Sequence, residues 1–394
     1  MEINEWCERI LLGSSWEDKL CELGTYEDFK RKEIVLPAFP GRPPGLELDE
    51  WKKRERTSFR EVGKFHSEKE RGLVLHFFAN HELLAVELMA LAILKFQDAP
   101  VNFRRGVVQT LKDEQRHVRM YRKRMADIGI EFGQIPVSDY FWRALQAMNS
   151  PKDFVTGLSM TLEQANLDYA LHYARIYEKI QDKETADILN RIYKDEVSHV
   201  KHGLIWFNKW HKDSICSWKS YVEALPKTLT PARAKGIGFN REGRIKAGFS
   251  NEFIDELEVY SRSRGRCPNV YWFNGNCEEQ ITNSLYGQTS RTPINQLESD
   301  LRALPTLICK NHDIVLVEKK PTINFLKKLR RSGFTLPAYV EYGDQTNLSV
   351  WNSGIIHELR PWGWNTESAN FLKLLSKYTK HDRRARWDHK WKTL

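Results

Sequence analysis

Cysteine is scarce and scattered: Cys7, Cys21, Cys216, Cys267, Cys277 and Cys309, with no Cys-x-x-Cys pair among them. That excludes a zinc ribbon and a dense secreted disulfide framework, and leaves reduced, ordinary thiols as the expectation. A long uninterrupted apolar run is missing as well. The most apolar stretch, "LLAVELMALAILKF", is broken by Glu87 and is too short to span a bilayer. The N-terminus, "MEINEWCERILLGSSWEDKL", is acidic where a signal peptide starts basic, and it has no small-residue cleavage site. Cytoplasmic residence with no membrane attachment is therefore expected. There is no low-complexity tract, no Gly-rich phosphate cradle and no nucleic-acid-binding motif with a structural signature.

What is present is a folded composition, 41% hydrophobic and 29% charged, on a chain of 394 residues. A chain of that length exceeds what one hydrophobic core usually organises, so two domains are expected. Net charge is +9, and much of it sits in two runs, "RAKGIGFNREGRIK" (Arg233 to Lys246) and "KHDRRARWDHKWK" (Lys380 to Lys392). Such runs read first as a solvated face or linker, with RNA as the alternative partner.

Residues 1–60 combine a short helical pattern with the proline-rich "LPAFPGRPPGLEL" and read as a segment wrapping a larger body. Residues 61–220 carry four long helical patterns. The first opens at Ser67 with Glu70 three residues on, a capping box, and runs to Asp98–Pro100. The second spans about Asn102 to Ile128–Gly133. A short helix near Asp139–Met148 crosses over. The third starts at Ser150–Pro151, with Ser as cap and Pro at the first helical position, and reaches about Gln181. The fourth covers about Glu184 to His211. Four helices of similar length with one longer connection predict a four-helix bundle. Residues 221–266 read as a basic linker containing a short helix, "NEFIDELEVY". From 267 to 394, β-like runs ("NVYWFN", "DIVLVE") alternate with helical ones, which predicts a small α/β domain.

The sequence writes Asp-Glu-x-x-His twice, in "KDEQRHVRMY" from Lys112 and in "KDEVSHVKHG" from Lys194. On a helix, Glu-x-x-His puts both side chains on one face, a turn apart, where they can hold one metal ion. One copy arises by chance; two, deep inside long predicted helices, carry more weight. Upstream, Glu82 precedes Glu114 by 32 residues and Glu163 precedes Glu196 by 33. That spacing returns the chain to the same height on the neighbouring antiparallel helix. Glu82 shares its stripe with Leu75, Phe78, Ala79, Val86 and Met89, and Glu163 shares its own with Thr156, Met160, Leu167 and Ala170. A carboxylate on an apolar stripe is costly unless paired or metal-bound.

The expected metal ligands, and catalytic residues, are thus Glu82, Glu114, His117, Glu163, Glu196 and His199. This is the donor set of di-iron and di-manganese carboxylate bundles. Oxygen and imidazole donors without thiolate suit two iron ions, or a manganese–iron pair, over structural zinc. Asp113 and Asp195 are candidates to hold each imidazole by its free nitrogen. Glu87 and Asp168, five residues past the upstream ligands, are expected in the outer shell or exposed. His81 reads as surface, and His202 as lying at the site edge, as a cap or at the surface. Tyr121 and Tyr193 read as ordinary packing.

Residues from about Trp16 to Phe249 resemble a ferritin-like family, that of domain of unknown function 455. The resemblance lies in "HELLAVEL", "DEQRHVRM", "TLEQANLDYA" and "DEVSHVKHGLIWF", with flanks "LLGSSWEDKL" and "LPKTLTPARAKGIGFN". It implies a two-metal site and a relation to diiron tRNA hydroxylases. Residues from about Cys267 to Leu394 resemble the small α/β domain that precedes the core of ATP-grasp ligases. That resemblance lies in "VYWFN", "DIVLVEKKPTINFLKKLRRSGFTLPAYV" and "LRPWGWNTESANFL". It implies a docking domain and a separately encoded ATP-grasp ligase as partner; Trp362 and Trp364 suit an interface or a packed turn. The expectation is an all-α ferritin-like four-helix bundle followed by a small pre-ATP-grasp-like α/β domain. Its activity would be O2-dependent oxidation or hydroxylation of a small amino-acid- or peptide-derived substrate, by a chain able to form a homodimer. The alternatives are a tRNA or nucleotide hydroxylase and a metal-stabilised scaffold that docks a ligase.

Overall fold

Helix α1 (Ile3–Leu12) is capped by Glu2, whose carboxylate accepts from the amides of Asn4 and Glu5, and it buries Ile3, Trp6, Cys7 and Ile10. The short α2 (Trp16–Lys19) follows. These belong to a computed structural model that describes residues 2–30, 36–48, 67–211, 215–260, 268–278, 299–342, 356–376 and 378–381. Cys267 and the basic run beyond residue 381 lie outside the described residues. The chain divides into two compact units, Met1–Leu229 with Arg233–Ile254, and Asp255–Leu394 with Thr230–Ala232.

The first unit is helical. Ser67 and Glu70 form the expected capping box at the start of α3 (Glu68–Lys95). Then come α4 (Val101–Asp127) and the short α5 (Tyr140–Leu145). Ser150 and Asp153 form a second capping box, with Pro151 in the first turn, and open the long helix α6. Helix α6 runs through Pro151–Phe154, Val155–Glu163 and Gln164–Lys179. Asp182 caps α7 (Lys183–Trp210). The main packing partners are α3 with α4 and α6 with α7, and α4 also packs on α7. Helix α3 is the one described helix apolar and long enough to cross a membrane, and it is buried on nearly every side, as a core helix is.

Two of these helices differ from the expectation in instructive ways. The middle segment of α6, Val155–Glu163, is wound as a π-helix, and Glu163 is its last residue. Thr161 Oγ1 donates to the Thr156 carbonyl, five residues back, at 2.6 Å, and pairs with Tyr221 Oη at 2.8 Å. A π segment of this kind reorients the ligand that ends it, and such segments concentrate at functional sites. Opposite it, Gly203 on α7 lets the helices approach closely; a Cβ there would stand 2.4 Å from Ser159 Cβ.

Glu87 on α3 and Asp168 on α6 lie neither in the outer shell of the expected ligands nor at the surface. Both are fully buried and ion-paired with segments outside the four helices. Glu87 accepts from Arg42 Nη2 at 2.6 Å and meets Lys19 Nζ at 3.1 Å. Asn80 completes the cluster by accepting from Arg42 at 2.9 Å. Asp168 takes both Nη groups of Arg244, at 2.6 and 2.9 Å, and accepts from the amides of Gly236 and Asn240. The described part of the stretch read as a basic linker, up to residue 260, is therefore structured. It contains α8 (Trp218–Ala224), α9 (Arg241–Ala247) and α10 (Asn251–Val259), and Arg244 is wholly buried.

The second unit is built on five parallel strands: β1 (Asn269–Trp272), β2 (Ile314–Val317), β3 (Ala338–Glu341), β4 (Ile356–Pro361) and β5 (Thr379–His381). Their order is β3-β2-β1-β4-β5. One face of the sheet (Val270, Ile314, Leu316, Leu359) packs on Leu372 and Leu375, from the connection between β4 and β5. The other face (Tyr271, Val315, Val317) packs on Cys309 and Tyr339. Tyr339 in turn meets Leu326 of α11 (Ile323–Arg331), between β2 and β3. Covering layers thus change face between the β1–β3 half and the β4–β5 half.

Removing one partner of a buried ion pair leaves the other charge stranded. Asp168→Ala is expected to cost about 3 kcal/mol or more, read by urea unfolding followed by circular dichroism. A loss below about 1 kcal/mol would show that the Asp168–Arg244 pair does not anchor the post-α7 segment.

Candidate metal centre

Six side chains from four helices converge: Glu82 from α3, Glu114 and His117 from α4, Glu163 from α6, Glu196 and His199 from α7, each 3% exposed or less. Donor atoms of Glu82, Glu114, His117 and Glu196 lie within 4.8 Å of one another, as do those of Glu114, Glu163 and His199. Glu114 belongs to both groups and faces each imidazole with a different oxygen. Its Oε1 lies 3.0 Å from His199 Nδ1 and its Oε2 3.3 Å from His117 Nδ1. The two rings are 5.9 Å apart.

Asp113 and Asp195 do contact the imidazoles, and they do so crosswise. Asp195 of α7 is 3.2 Å from His117 Nε2 on α4, and Asp113 of α4 is 3.4 Å from His199 Nε2 on α7. Each acid therefore holds the ring of the opposite motif, leaving both Nδ1 atoms turned to the centre. Arg116 ties the arrangement together, reaching Asp113 at 2.8 Å and Asp195 at 2.9 Å.

Electrostatics point to an unmet need for positive charge. Burial pushes Glu82 and Glu163 well above the ordinary carboxylate range, and the neighbouring acids add to the effect. Burial also raises Glu196, with Glu114 contributing. Glu114 moves the other way: burial opposes its charge, but contacts from Glu82 and both imidazoles outweigh it. Both imidazoles are driven well above their usual value against the effect of burial, His117 by Glu114 and Asp195, His199 by Asp113 and Glu114. Without other cations the cluster can hold together only by retaining protons.

The donor atoms themselves give a direct test of fit. Glu82 Oε1, both Glu163 oxygens and Glu196 Oε2 are buried and make no hydrogen bond, while Glu114 Oε1 and His199 Nδ1 face each other at 3.0 Å. Buried polar atoms are otherwise nearly always satisfied. Four carboxylates carry −4, which two divalent cations would neutralise with both imidazoles neutral. The cluster is compatible with metal binding.

Two further contacts were missed in the sequence. Asn166 donates to Glu196 Oε1 at 2.9 Å. It stands three residues after Glu163, on the stripe where α4 and α7 carry histidine, and that register was the available signal. Arg116 sits inside its own Glu-x-x-His motif, where the second copy has Ser198. Of the other candidates, Tyr121 packs in the core as expected, whereas His81 takes a different place. His81 is not a surface histidine; it stacks on Phe141 at 4.5 Å and meets Phe77 edge-on, and burial lowers its pKa to about 3. His202 stacks on Phe103 at 5.8 Å, and its Nε2 has no hydrogen-bond partner among the described residues. Tyr121 is buried against Phe78, and Tyr193 Oη accepts from Asn240.

Removing an acid that orients a metal-ligating imidazole typically weakens metal binding about 10- to 100-fold. Asp195→Ala is expected to show this in chelator competition for Fe(II) or Mn(II), with helix content unchanged. Equal affinity in the variant would remove the Asp195–His117 contact from any role in binding. Metal that binds only the folded state should raise the unfolding midpoint of the wild type, and Glu114→Ala should abolish that rise.

A protein of Haemophilus influenzae described only as uncharacterized is 25% identical over 244 residues, covering 58% of this chain and 80% of its own length. No solved structure matches. The stretch from residue 11 to residue 255, which holds every side chain of the centre, matches the family described as "Protein of unknown function (DUF455)". The chain belongs to that family.

Proposed function

We propose that the four long helices form a ferritin-like dimetal-carboxylate unit that uses O2 to oxidise a small substrate. The observation that carries this reading is the convergence of buried donor atoms from the six side chains, with those of Glu82, Glu163 and Glu196 left without a hydrogen bond. One Glu from each of two helices, with Glu-x-x-His from each of the other two, is the donor set of di-iron and di-manganese carboxylate proteins. Two iron ions, or a manganese–iron pair, would bring the redox chemistry with O2 that side chains cannot perform.

The chain's own contribution is coordination, orientation and exclusion of water. Asp113 and Asp195 accept from the Nε2 side of the rings, so each Nδ1 is presented as a lone pair. Phe78, Tyr121, Met160 and Leu167 are buried on the same helices and keep the surroundings apolar. Glu163 lies at the end of the π segment, whose widened turn sets the direction of its carboxylate.

For the substrate, the reading is a small amino-acid- or peptide-derived compound handled together with a separately encoded ATP-grasp ligase. It rests on the resemblance carried by residues 267–394. The net charge of +9 favours a second reading, hydroxylation of tRNA or a nucleotide.

The test is to load the protein with Fe(II) under anaerobic conditions and then admit O2. Uptake of O2 in a single turnover, with a Mössbauer spectrum of a coupled ferric pair, is expected for the wild type and not for Glu114→Ala. A fully loaded protein that consumes no O2, with or without a reductant, would leave the metals as braces of a scaffold. Binding of tRNA that weakens steeply with salt would move the substrate to nucleic acid.

A further inference from the structure

The second unit contains a cleft of about 500 Å³ whose lining includes Tyr271, Trp272, Glu358, Arg360, Trp362 and Trp364. Its position follows from the sheet. All five strands are parallel, and β1 lies between β2 and β4, so the chain runs outward first through β2 and β3 and then through β4 and β5. The covering layers change face between β1 and β4, as the packing on the two sides of the sheet shows. The crevice that such a change opens at the carboxyl ends of the two strands is where open α/β sheets bind ligands. Trp272 ends β1 and Pro361 ends β4, and both line the cleft.

The rim is a built structure. The Asn274 side chain, buried at 2% exposure, donates to the Gly363 carbonyl at 2.8 Å and accepts from the Gly363 amide at 3.0 Å. The Trp362 amide donates to the Trp272 carbonyl at 2.8 Å. These bonds lock the β1 exit to the β4 exit. Gly363 has no room for a side chain, since a Cβ would stand 2.1 Å from Cys277 Sγ. Trp362 is half exposed, yet its ring is held edge-on against Phe273 at 5.2 Å. It is a fixed aromatic wall open to solvent.

One cation serves this wall. Arg360 Nε donates to the buried Glu358 Oε2 at 2.7 Å, and Nη1 donates to Tyr271 Oη at 3.2 Å. The guanidinium is thereby oriented while its side chain stays 44% exposed. Aromatic faces beside an oriented guanidinium suit a flat ring that carries a carboxylate. Nucleotides fit less well, because the β1 exit, "FNGNCEE", has none of the glycine-rich turn that cradles phosphates.

We propose that this crevice binds a planar aromatic carboxylate, stacked on Trp362 and paired with Arg360. It is a second ligand site, independent of the metal centre, and stands whether or not the oxidase reading does. The test uses the full-length chain and three probes that share one ring: indole-3-acetate, uncharged indole and cationic tryptamine, each followed by calorimetry.

A charge-assisted pair to an arginine should favour indole-3-acetate over indole by about tenfold or more, with tryptamine weaker than either. Trp362→Ala should weaken indole-3-acetate by about tenfold or more through lost stacking. Arg360→Lys, which keeps a charge for Glu358 but loses the fork, should narrow the preference for the acid over indole. Equal binding of the three probes, no binding of indole-3-acetate at millimolar concentration, or binding that Trp362→Ala leaves unchanged would each overturn the proposal. The probe series on the wild type needs no variant, so misfolding of one cannot shelter it.

Discussion

A carboxylate enters a dry helical core only with a positive partner, and the first unit is organised around that constraint. Helices α3 and α6 each bury two acids five residues apart, Glu82 with Glu87 and Glu163 with Asp168. For the later acid of each pair the chain brings its own cations: Arg42 and Lys19 to Glu87, Arg244 to Asp168. For the earlier one it brings only imidazoles and more carboxylates. The contrast lies within single helices, under the same burial, and it locates the missing charge. Where the protein needs a fixed cation it recruits a guanidinium from a flanking segment; at Glu82 and Glu163 it leaves carboxylate oxygens without a hydrogen bond.

The helical frame was legible because its signals are local. Ser67 with Glu70 and Ser150 with Pro151 mark starts that depend on a few neighbouring residues. The spacing of Glu82 to Glu114 and of Glu163 to Glu196 needs only helix rise and a short turn. What failed to show was anything set by long-range routing. The partner of Glu87 comes from 45 residues upstream and that of Asp168 from 76 downstream. No periodicity within a helix can announce an arginine that arrives on a separate segment, so a basic run that looked solvated turned out to hold a core residue. The π segment is invisible for a related reason. Its widened turn is fixed by the close approach of Ser159 to Gly203 and by the Thr161 contact with Tyr221, both tertiary. His81 misled because the ring stacked on it, Phe141, arrives on a separate short helix.

In the second unit the alternation of strands and helices was readable, and the sheet order was not. Strands of four residues carry too little pattern to say which two flank β1. That order decides where the crevice opens, and hence that two tryptophans of an unremarkable "WGW" turn stand at the mouth of a cleft. Asn274, one of two asparagines in "FNGN", proves to be the clamp that joins both exits.

The crosswise hold of Asp195 on His117 and of Asp113 on His199 makes the two helix pairs mutually incomplete. An α3–α4 hairpin by itself would present an imidazole lacking its acid and an acid lacking its imidazole, and α6–α7 would present the mirror deficit. Neither hairpin could mature alone; each becomes a competent half only when the other is in place. Assembly of this unit is for that reason coupled at its middle, and a chain interrupted between α4 and α6 would have to re-dock its pieces before the six side chains could come together.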